Sequence, residues 1–186
     1  MRIRTFIAFD IESFALNELI KIRNEVFHNS DLYFENISKL HITIKFIGDI
    51  EEKETPKLIG ALQNIADSSY SFKLSFTKFG FFFKNDLSSI FWAGISESNE
   101  LLELRDKIEN KLFEIGVEKN DKKYKPHLTL LRLKKNDNIA NIKLILNKEI
   151  SNIKFRVSHF SLIKSELKMS GSEYKIIKKY NLKLGS

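Results

Sequence analysis

Two short stretches of the chain pair a histidine with a threonine two residues later. The first reads His41-Ile42-Thr43-Ile44-Lys45-Phe46, and the second reads His127-Leu128-Thr129-Leu130-Leu131-Arg132. Alternate side chains of a β-strand point to opposite faces, so His and Thr share one face and the aliphatic residues share the other. Burial of the aliphatic faces would present two imidazoles and two hydroxyls to one cleft.

Two imidazoles beside a phosphodiester can act as a general acid–base pair. A neutral ring takes a proton from the attacking water, and a protonated ring gives one to the departing alkoxide. The hydroxyls of Thr43 and Thr129 can donate to the non-bridging oxygens, where charge accumulates. Arg132 is a candidate bidentate phosphate ligand. Strict alternation points it away from His127, so it reaches the cleft only if the strand ends or twists near residue 131.

Other chemistries fit these residues less well. The remaining histidines, His28 and His159, lie in unrelated contexts, which offers no third ligand for zinc, and we expect no metal. We interpret His28 as a helix C-terminal cation and His159 as an ordinary strand residue. The sequence has no cysteine, no Gly-x-Ser-x-Gly turn and no Gly-rich phosphate loop. These absences argue against a thiol nucleophile, a hydrolase triad and a P-loop nucleotidase.

Composition bounds the class of protein. The 186 residues include 42% hydrophobic residues, enough for the sizeable core of one domain. The net charge of +7 favours a polyanionic partner such as nucleic acid. The N-terminus does not read as a signal peptide and no apolar run reaches membrane-spanning length, so we expect a cytoplasmic protein with no membrane partner.

Hydrophobic periodicity predicts the elements that must position the two motifs. We predict helices over 13–28, 51–67, 97–115 and 137–147, the last capped by Asp137, and strands over 2–9, 40–47, 70–77, 79–84, 88–95, 127–133, 152–163 and 173–183. Gly48-Asp49 is typical of a turn, and a parity change within 152–163 indicates a bulge.

Each half of the chain contains one His-x-Thr strand, and no Gly/Ser- or Pro-rich linker divides the halves. We interpret this as an internal duplication. We therefore predict an α+β fold in a single domain over 1–186, with two pseudo-symmetric, intertwined lobes, antiparallel sheets lining a central cleft, and helices outside.

The motifs and their surroundings resemble the two-histidine (2H) phosphoesterases, and among them the RNA 2′,3′-cyclic phosphodiesterases, also called 2′-5′ RNA ligases. The resemblance is carried, in chain order, by residues 4–10, 40–49, 90–94, 124–132, 160–167 and 172–174. The closing hairpin departs from the family, because it reads Lys168-Met169-Ser170-Gly171 where a Pro/Gly turn is more usual.

The resemblance implies a bilobal fold with pseudo-two-fold symmetry. It also implies opening of a ribose 2′,3′-cyclic phosphate to a 2′-phosphate without metal or cofactor. By position in the motifs, His41 and His127 would be the acid–base pair, and Thr43, Thr129 and Arg132 would bind the phosphate. The sequence leaves open which imidazole is the acid; we assign His41 as the proton donor and His127 as the acceptor.

The expected partner is RNA, or a nucleotide, that ends in a 2′,3′-cyclic phosphate. The resemblance adds tRNA halves as candidate substrates for 2′-5′ joining. Tyr124 and Lys125, directly before the second motif, are candidate contacts with the nucleoside and the RNA backbone, and we expect a monomer. Two alternatives stay open: a catalytically weak module that binds RNA ends, and a 2H enzyme acting on 2′-5′ oligonucleotides or small cyclic nucleotides.

Overall fold

In a computed structural model, residues 1–27, 32, 34–85, 88–120, 122–134, 142–169 and 171–185 are described. They form strands and helices in the order β1 (Arg2–Phe9), α1 (Ser13–Phe27), β2 (Ile42–Glu51), α2 (Thr55–Ala66), β3 (Phe72–Asn85), β4 (Ser88–Ile95), α3 (Asn99–Glu114), β5 (His127–Lys134), α4 (Ile142–Leu146), β6 (Lys154–Val157), β7 (His159–Lys168) and β8 (Gly171–Asn181). Two short 3₁₀ turns, Ile37–Lys39 and Glu52–Glu54, precede β2 and α2.

The eight strands form one curled antiparallel sheet in the order β6-β3-β4-β5-β2-β1-β7-β8. The α+β class is confirmed, and the sheets predicted for the two lobes are two halves of this one sheet. One half, β2-β1-β7-β8, combines the first two strands of the chain with the last two. A simple tandem duplication would place the first half of the chain in one half of the sheet and the second half in the other. The observed order does not do this, because each end of the chain contributes two strands to the same half of the sheet.

Two predicted strand boundaries are wrong, each for a physical reason. The strand expected over 152–163 is two strands in different halves of the sheet, because β6 pairs with β3 whereas β7 pairs with β1 and β8. The parity change in the sequence marks this crossing, at Ser158. Conversely, the strands expected over 70–77 and 79–84 are the single strand β3, in which an extra residue between Phe76 and Phe79 shifts the register.

α1 and α3 begin and end within two residues of the predicted limits, and α4 is described over Ile142–Leu146 of the predicted 137–147, whose first five residues lie outside the described ranges. α2 starts at Thr55 instead of 51, because β2 continues to Glu51 and a 3₁₀ turn follows. Pro56 lies in the first turn of α2, where a missing N–H costs no hydrogen bond. His28 and Asp137 lie outside the described residues. Within the described ranges, no helix is long and apolar enough to span a bilayer.

The second motif strand contains one extra residue at the fourth position of its motif. In β5, Thr129 and Leu131 face consecutive residues of β4, so Leu130 is additional. Such a β-bulge sends two successive side chains to the same face, and Leu130 and Leu131 are both buried. Arg132 consequently returns to the face of Thr129. The bulge is therefore the irregularity near residue 131 that lets Arg132 reach the cleft.

The first motif strand has the same insertion. In β2, Thr43 and Lys45 face consecutive residues of β1, so Ile44 is additional. Ile44 and Lys45 are both buried, and Phe46 returns to the face of Thr43 with 67% of its surface exposed. A second register shift follows beside Gly48, whose φ is 90°. The predicted turn at Gly48 is therefore wrong: the residue forms a second bulge, and the strand runs on.

Glycines leave room for an aromatic stack beside the second motif. A Cβ atom at Gly80 would come within 2.4 Å of the indole of Trp92, and one at Gly94 within 2.9 Å. The indole packs on the ring of Phe82 with centroids 4.9 Å apart, and Phe82 packs edge-on against the imidazole of His127 at the same distance. The absence of side chains at the two glycines thus supports the position of one motif histidine.

We predict that Gly80→Ala lowers the free energy of unfolding by about 1–3 kcal/mol, because the new methyl group would overlap the Trp92 ring. Gly60→Ala is the matched control: Gly60 lies in α2, and a methyl group added there would have no neighbouring atom within 4 Å. Alanine at this position should therefore stabilise the protein by about 0.5–1 kcal/mol. Urea unfolding at constant slope measures both changes. Equal effects of the two substitutions would contradict the packing of Trp92 on Gly80.

Candidate active site

The antiparallel register of β2 and β5 sets the two motifs side by side in opposite directions. The second residue of one motif faces the second residue of the other. One step to either side, His41 lies opposite Thr129 and Thr43 lies opposite His127. Each imidazole therefore has the threonine of the other motif as its neighbour, in an approximate two-fold arrangement.

Each imidazole is oriented by the same kind of backbone hydrogen bond. Nδ1 of His41 lies 2.7 Å from the carbonyl oxygen of Lys39, and Nδ1 of His127 lies 2.7 Å from that of Lys125. A carbonyl oxygen can only accept, so Nδ1 carries the proton in each neutral ring. Nε2 is then the atom that gains or loses a proton, and it has a lone pair when the ring is neutral.

Aromatic side chains bury the two imidazoles. The ring of His41 packs against Phe6 at 4.9 Å and edge-on against Tyr174 at 5.1 Å. On the other side, Phe82 packs edge-on against His127, as described above. These contacts fix the planes of the rings and leave both imidazoles half-buried in the cleft wall.

Both histidines, both threonines and Arg132 line one cleft of about 660 Å³. The structure therefore brings together the five residues that the motifs singled out. The two bulges add a further residue from each motif to the cleft. They return the sixth motif position of each strand, Phe46 or Arg132, to the face of the histidine and threonine.

Arg132 shares the cleft with a carboxylate that the sequence did not indicate. Its Nε lies 3.6 Å from Oε1 of Glu35. The backbone N–H of Glu35 donates to the carbonyl of Leu130 at 3.0 Å, so this residue is fixed at the bulge itself. The Arg132 side chain is 61% exposed, and its guanidinium can exchange this partner for a phosphate. Glu35 precedes the first motif strand in a stretch without periodicity, which left no signal in the sequence.

The electrostatic surroundings of the two imidazoles differ. Burial lowers the pKa of both His41 and His127 below the ordinary value of 6.5. In each ring the hydrogen bond to the backbone carbonyl opposes this shift, and the charge of Arg132 adds to it. Only for His41, among the described residues, do carboxylates raise the pKa in part: those of Asp10 and Glu35.

The structure does not bring Tyr124 into the cleft. Its ring packs against the main hydrophobic core, and its O–H donates to the carbonyl of Thr43 at 3.0 Å. Lys125 contributes its carbonyl to His127, while its exposed ammonium lies 6.0 Å from the ring centre of Phe82, a cleft residue. Lys125 thus lies beside the cleft, where we predicted a contact with RNA. Tyr124 precedes His127 by three residues, so in an extended chain it faces the opposite side, toward the core.

His159 does not line the cleft. Its Nε2 lies 3.4 Å from Oδ2 of Asp10, and its Nδ1 lies 3.2 Å from the hydroxyl of Ser158. The hydrogen bond from His159 lowers the pKa of the Asp10 carboxyl. Within the part of the chain that the structure describes, no three His, Asp or Glu side chains are grouped as metal ligands.

Comparisons with known proteins identify the family of the chain. The family model described as the 2′-5′ RNA ligase superfamily matches residues 17–168. Proteins named RNA 2′,3′-cyclic phosphodiesterase are 30% identical to the chain in two archaea: the one from Methanocaldococcus jannaschii over 95% of this chain and 99% of its own, and the one from Archaeoglobus fulgidus over 92% and 96%. The crystal structure of E. coli LigT in its apo form has a TM-score of 0.80, with 20% identity and 98% of both chains covered. The chain belongs to the 2′-5′ RNA ligase superfamily, as its motifs predicted.

Proposed function

We propose that the protein is an RNA 2′,3′-cyclic phosphodiesterase that opens a terminal ribose 2′,3′-cyclic phosphate to a 2′-phosphate. One observation carries the proposal: two imidazoles, each with Nδ1 bound to a backbone carbonyl and Nε2 available, line one cleft with two threonine hydroxyls and an arginine. The names of the archaeal relatives, at 30% identity over nearly the whole chain, support the choice of substrate.

The reaction needs one proton removed and one supplied. Nε2 of the neutral imidazole takes a proton from water as the water oxygen attacks phosphorus. The bond from phosphorus to O3′ breaks, and the protonated imidazole gives its Nε2 proton to O3′. The product carries a 2′-phosphate and a free 3′-hydroxyl, and the two rings end with their protonation states exchanged.

We assign His41 as the acid and His127 as the base. Carboxylates favour a protonated imidazole, and Asp10 and Glu35 raise the pKa of His41 against the effect of burial. The corresponding contribution to His127, in the described residues, comes from its backbone carbonyl alone. These carboxylates favour the protonated form of His41 and have no counterpart at His127 among the described residues, which is why we assign the acid role to His41.

The remaining cleft residues stabilise the phosphate. Thr43 and Thr129 lie opposite the histidines of the other motif, so their hydroxyls flank any phosphate that both imidazoles reach. Hydroxyl donors aimed at non-bridging oxygens are most effective in the transition state, where charge is greatest. Arg132 supplies a planar cation with two parallel N–H donors. Lys125 contributes charge at the edge of the cleft for the RNA backbone.

The same groups can join RNA ends. A 5′-hydroxyl in place of water would attack the phosphorus of the cyclic phosphate. The bond from phosphorus to O3′ would break and leave a free 3′-hydroxyl, which yields a 2′-5′ linkage. The name of the superfamily refers to this reaction, and tRNA halves that end in a 2′,3′-cyclic phosphate and a 5′-hydroxyl would be suitable substrates. The net charge of +7 suits such polyanions. We propose that hydrolysis is the main activity of a monomer and that joining is its competing reaction.

The first prediction from the proposed function is metal-independent turnover. In EDTA, the protein should convert a 2′,3′-cyclic mononucleotide, and an oligonucleotide with the same end, to the 2′-phosphate. His41→Gln and His127→Gln should each lower kcat by about 10²–10⁴-fold, because each removes one proton transfer. Lys73→Gln is the control, since it changes an exposed residue of β3 that does not line the cleft. Tight binding without turnover would support an RNA-end-binding module instead, and full activity in either cleft variant would sink the mechanism.

The second prediction concerns pH. Because burial lowers the pKa of both imidazoles, kcat/KM should follow a bell with both limbs on the acid side of 6.5. The rate falls with rising pH as the acid loses its proton, and it falls with decreasing pH as the base gains one. His41→Gln should abolish the alkaline limb and keep the acid limb. The opposite result would exchange the two roles, and a rate that rises continuously with pH would exclude acid catalysis.

The third prediction tests the shape of the phosphate ligand. Arg132→Lys keeps the charge but loses the planar pair of donors, so kcat/KM should fall roughly tenfold; Arg132→Ala should lower it by about 10²–10³-fold. Arg156→Lys is the matched control, because that guanidinium binds the hydroxyl of Ser71 away from the cleft. Equal rates for Arg132 and its lysine variant would show that bidentate binding is not used.

A further inference from the structure

The two motif strands have little main-chain contact with each other. The halves of the sheet meet at β2 and β5, and the described ladder between them consists of one residue pair, Ile42 with Leu128. By contrast, β1 and β2 pair along their whole length. A single pair leaves the two strands free to rotate about it, so other contacts must set the separation of the two imidazoles.

The segment before β5, described over 118–120 and 122–126, provides such contacts; we call it the connecting segment. At its start, the buried ammonium of Lys45 donates to the carbonyl of Glu118 at 2.8 Å and pairs with Glu109 at 2.6 Å. The carboxylate of Glu109 also accepts from the backbone N–H of Asn120 at 3.3 Å. The first part of the segment is therefore fixed to β2 and α3.

Nearer its end, Tyr124 contacts the first motif, and the carbonyl of Pro126 accepts from the backbone N–H of Ile95 at 3.2 Å. The tyrosine O–H donates to the carbonyl of Thr43 at 3.0 Å, and the guanidinium of Arg105 lies 5.1 Å from the ring centre. Burial raises the pKa of this phenol well above its usual value, so the hydroxyl stays a donor. Thr43 is the residue opposite His127 in the register of the two strands.

These hydrogen bonds form a continuous path from the first motif to the second. It runs from the Thr43 carbonyl through the Tyr124 hydroxyl, then along one peptide to the Lys125 carbonyl, and from there to Nδ1 of His127 at 2.7 Å. The path joins the backbone of the first motif to the imidazole of the second. Its length is fixed by one rigid side chain and one peptide unit.

We propose that Tyr124 is a positioning residue whose hydroxyl sets the spacing between the two motifs, and thereby the alignment of the two Nε2 atoms on the phosphate. The proposal rests on the acid–base function assigned above, in which both rings must act on one phosphorus. A displacement of reacting groups by about 1 Å can cost about 10²-fold in rate. Tyr124 thus acts through the histidines and does not touch the substrate.

The test uses Tyr124→Phe in the full chain. This change removes one oxygen atom and keeps the ring in the core. We expect kcat to fall about 10–100-fold while KM changes less than about twofold, because substrate contacts are intact and only the alignment is lost. The ¹H–¹⁵N signals of the His127 ring should shift in the variant, since the Lys125 carbonyl moves with residue 124.

Tyr180→Phe is the matched control. Tyr180 is also a buried tyrosine, 1% exposed, and its hydroxyl has no hydrogen-bond partner among the described residues. The control should leave kcat, KM and both imidazole signals unchanged. It separates loss of a bridging hydroxyl from loss of any buried hydroxyl.

Two outcomes would overturn the proposal. One is an unchanged kcat in Tyr124→Phe; the other is a rise in KM with kcat retained, which would make Tyr124 a substrate contact. Failure of the proposed function is distinguishable, because the unaltered protein would then show no turnover. The ring signals of His127 still decide the matter in that case: identical signals in Tyr124→Phe and the unaltered protein would show that the hydroxyl does not position the imidazole.

Discussion

The site depends on one extra residue in each motif strand. Without the bulges at Ile44 and Leu130, strict alternation would send the sixth motif position to the core. With them, two successive side chains turn inward and the cleft gains Arg132 on one strand and Phe46 on the other. The insertion also ends the regular alternation that began at the histidine. Each motif strand therefore presents its first, third and sixth side chains to the cleft, whereas regular alternation would present the first, third and fifth.

The inward pairs created by the bulges are not chemically equal. On β5 both members are leucines, which simply join the core. On β2 the second member is Lys45, a charge with 1% of its side chain exposed, and burial of an unpaired ammonium would cost several kcal/mol. Glu109 of α3 pairs with this ammonium at 2.6 Å, so the charge is not buried alone. The bulge in the first motif therefore requires a partner on a helix and, through the carbonyl of Glu118, an anchored connecting segment.

The sequence was sufficient for the parts of the site that repeat, and insufficient for those that do not. Two His-x-Thr strands were visible because period-2 alternation with apolar residues is a local signal. The reach of Arg132 was unresolved because a bulge depends on the neighbouring strand. Glu35 and Tyr174 lie near the cleft through long-range packing, which leaves no periodic trace. Tyr124, a candidate nucleoside contact by its place before the second motif, packs on the core, and sequence position alone does not indicate which way its side chain points. The strand from 152 to 163 failed similarly, since one apolar pattern covered two strands in different halves.

Symmetry and its loss serve different parts of the chemistry. The two-fold register gives each imidazole an equivalent hydrogen bond through Nδ1 and an equivalent threonine opposite, so either ring could act as acid or base. A directional reaction needs the rings to differ in proton affinity at the same pH. The surroundings of the two rings differ through residues outside the repeat: Asp10 after β1 and Glu35 before β2 both raise the pKa of His41 against the larger effect of burial. Because these carboxylates stand beside the motifs and not within them, the backbone can keep the symmetry that aligns the rings, while in the proposed mechanism the charges favour His41 as the acid.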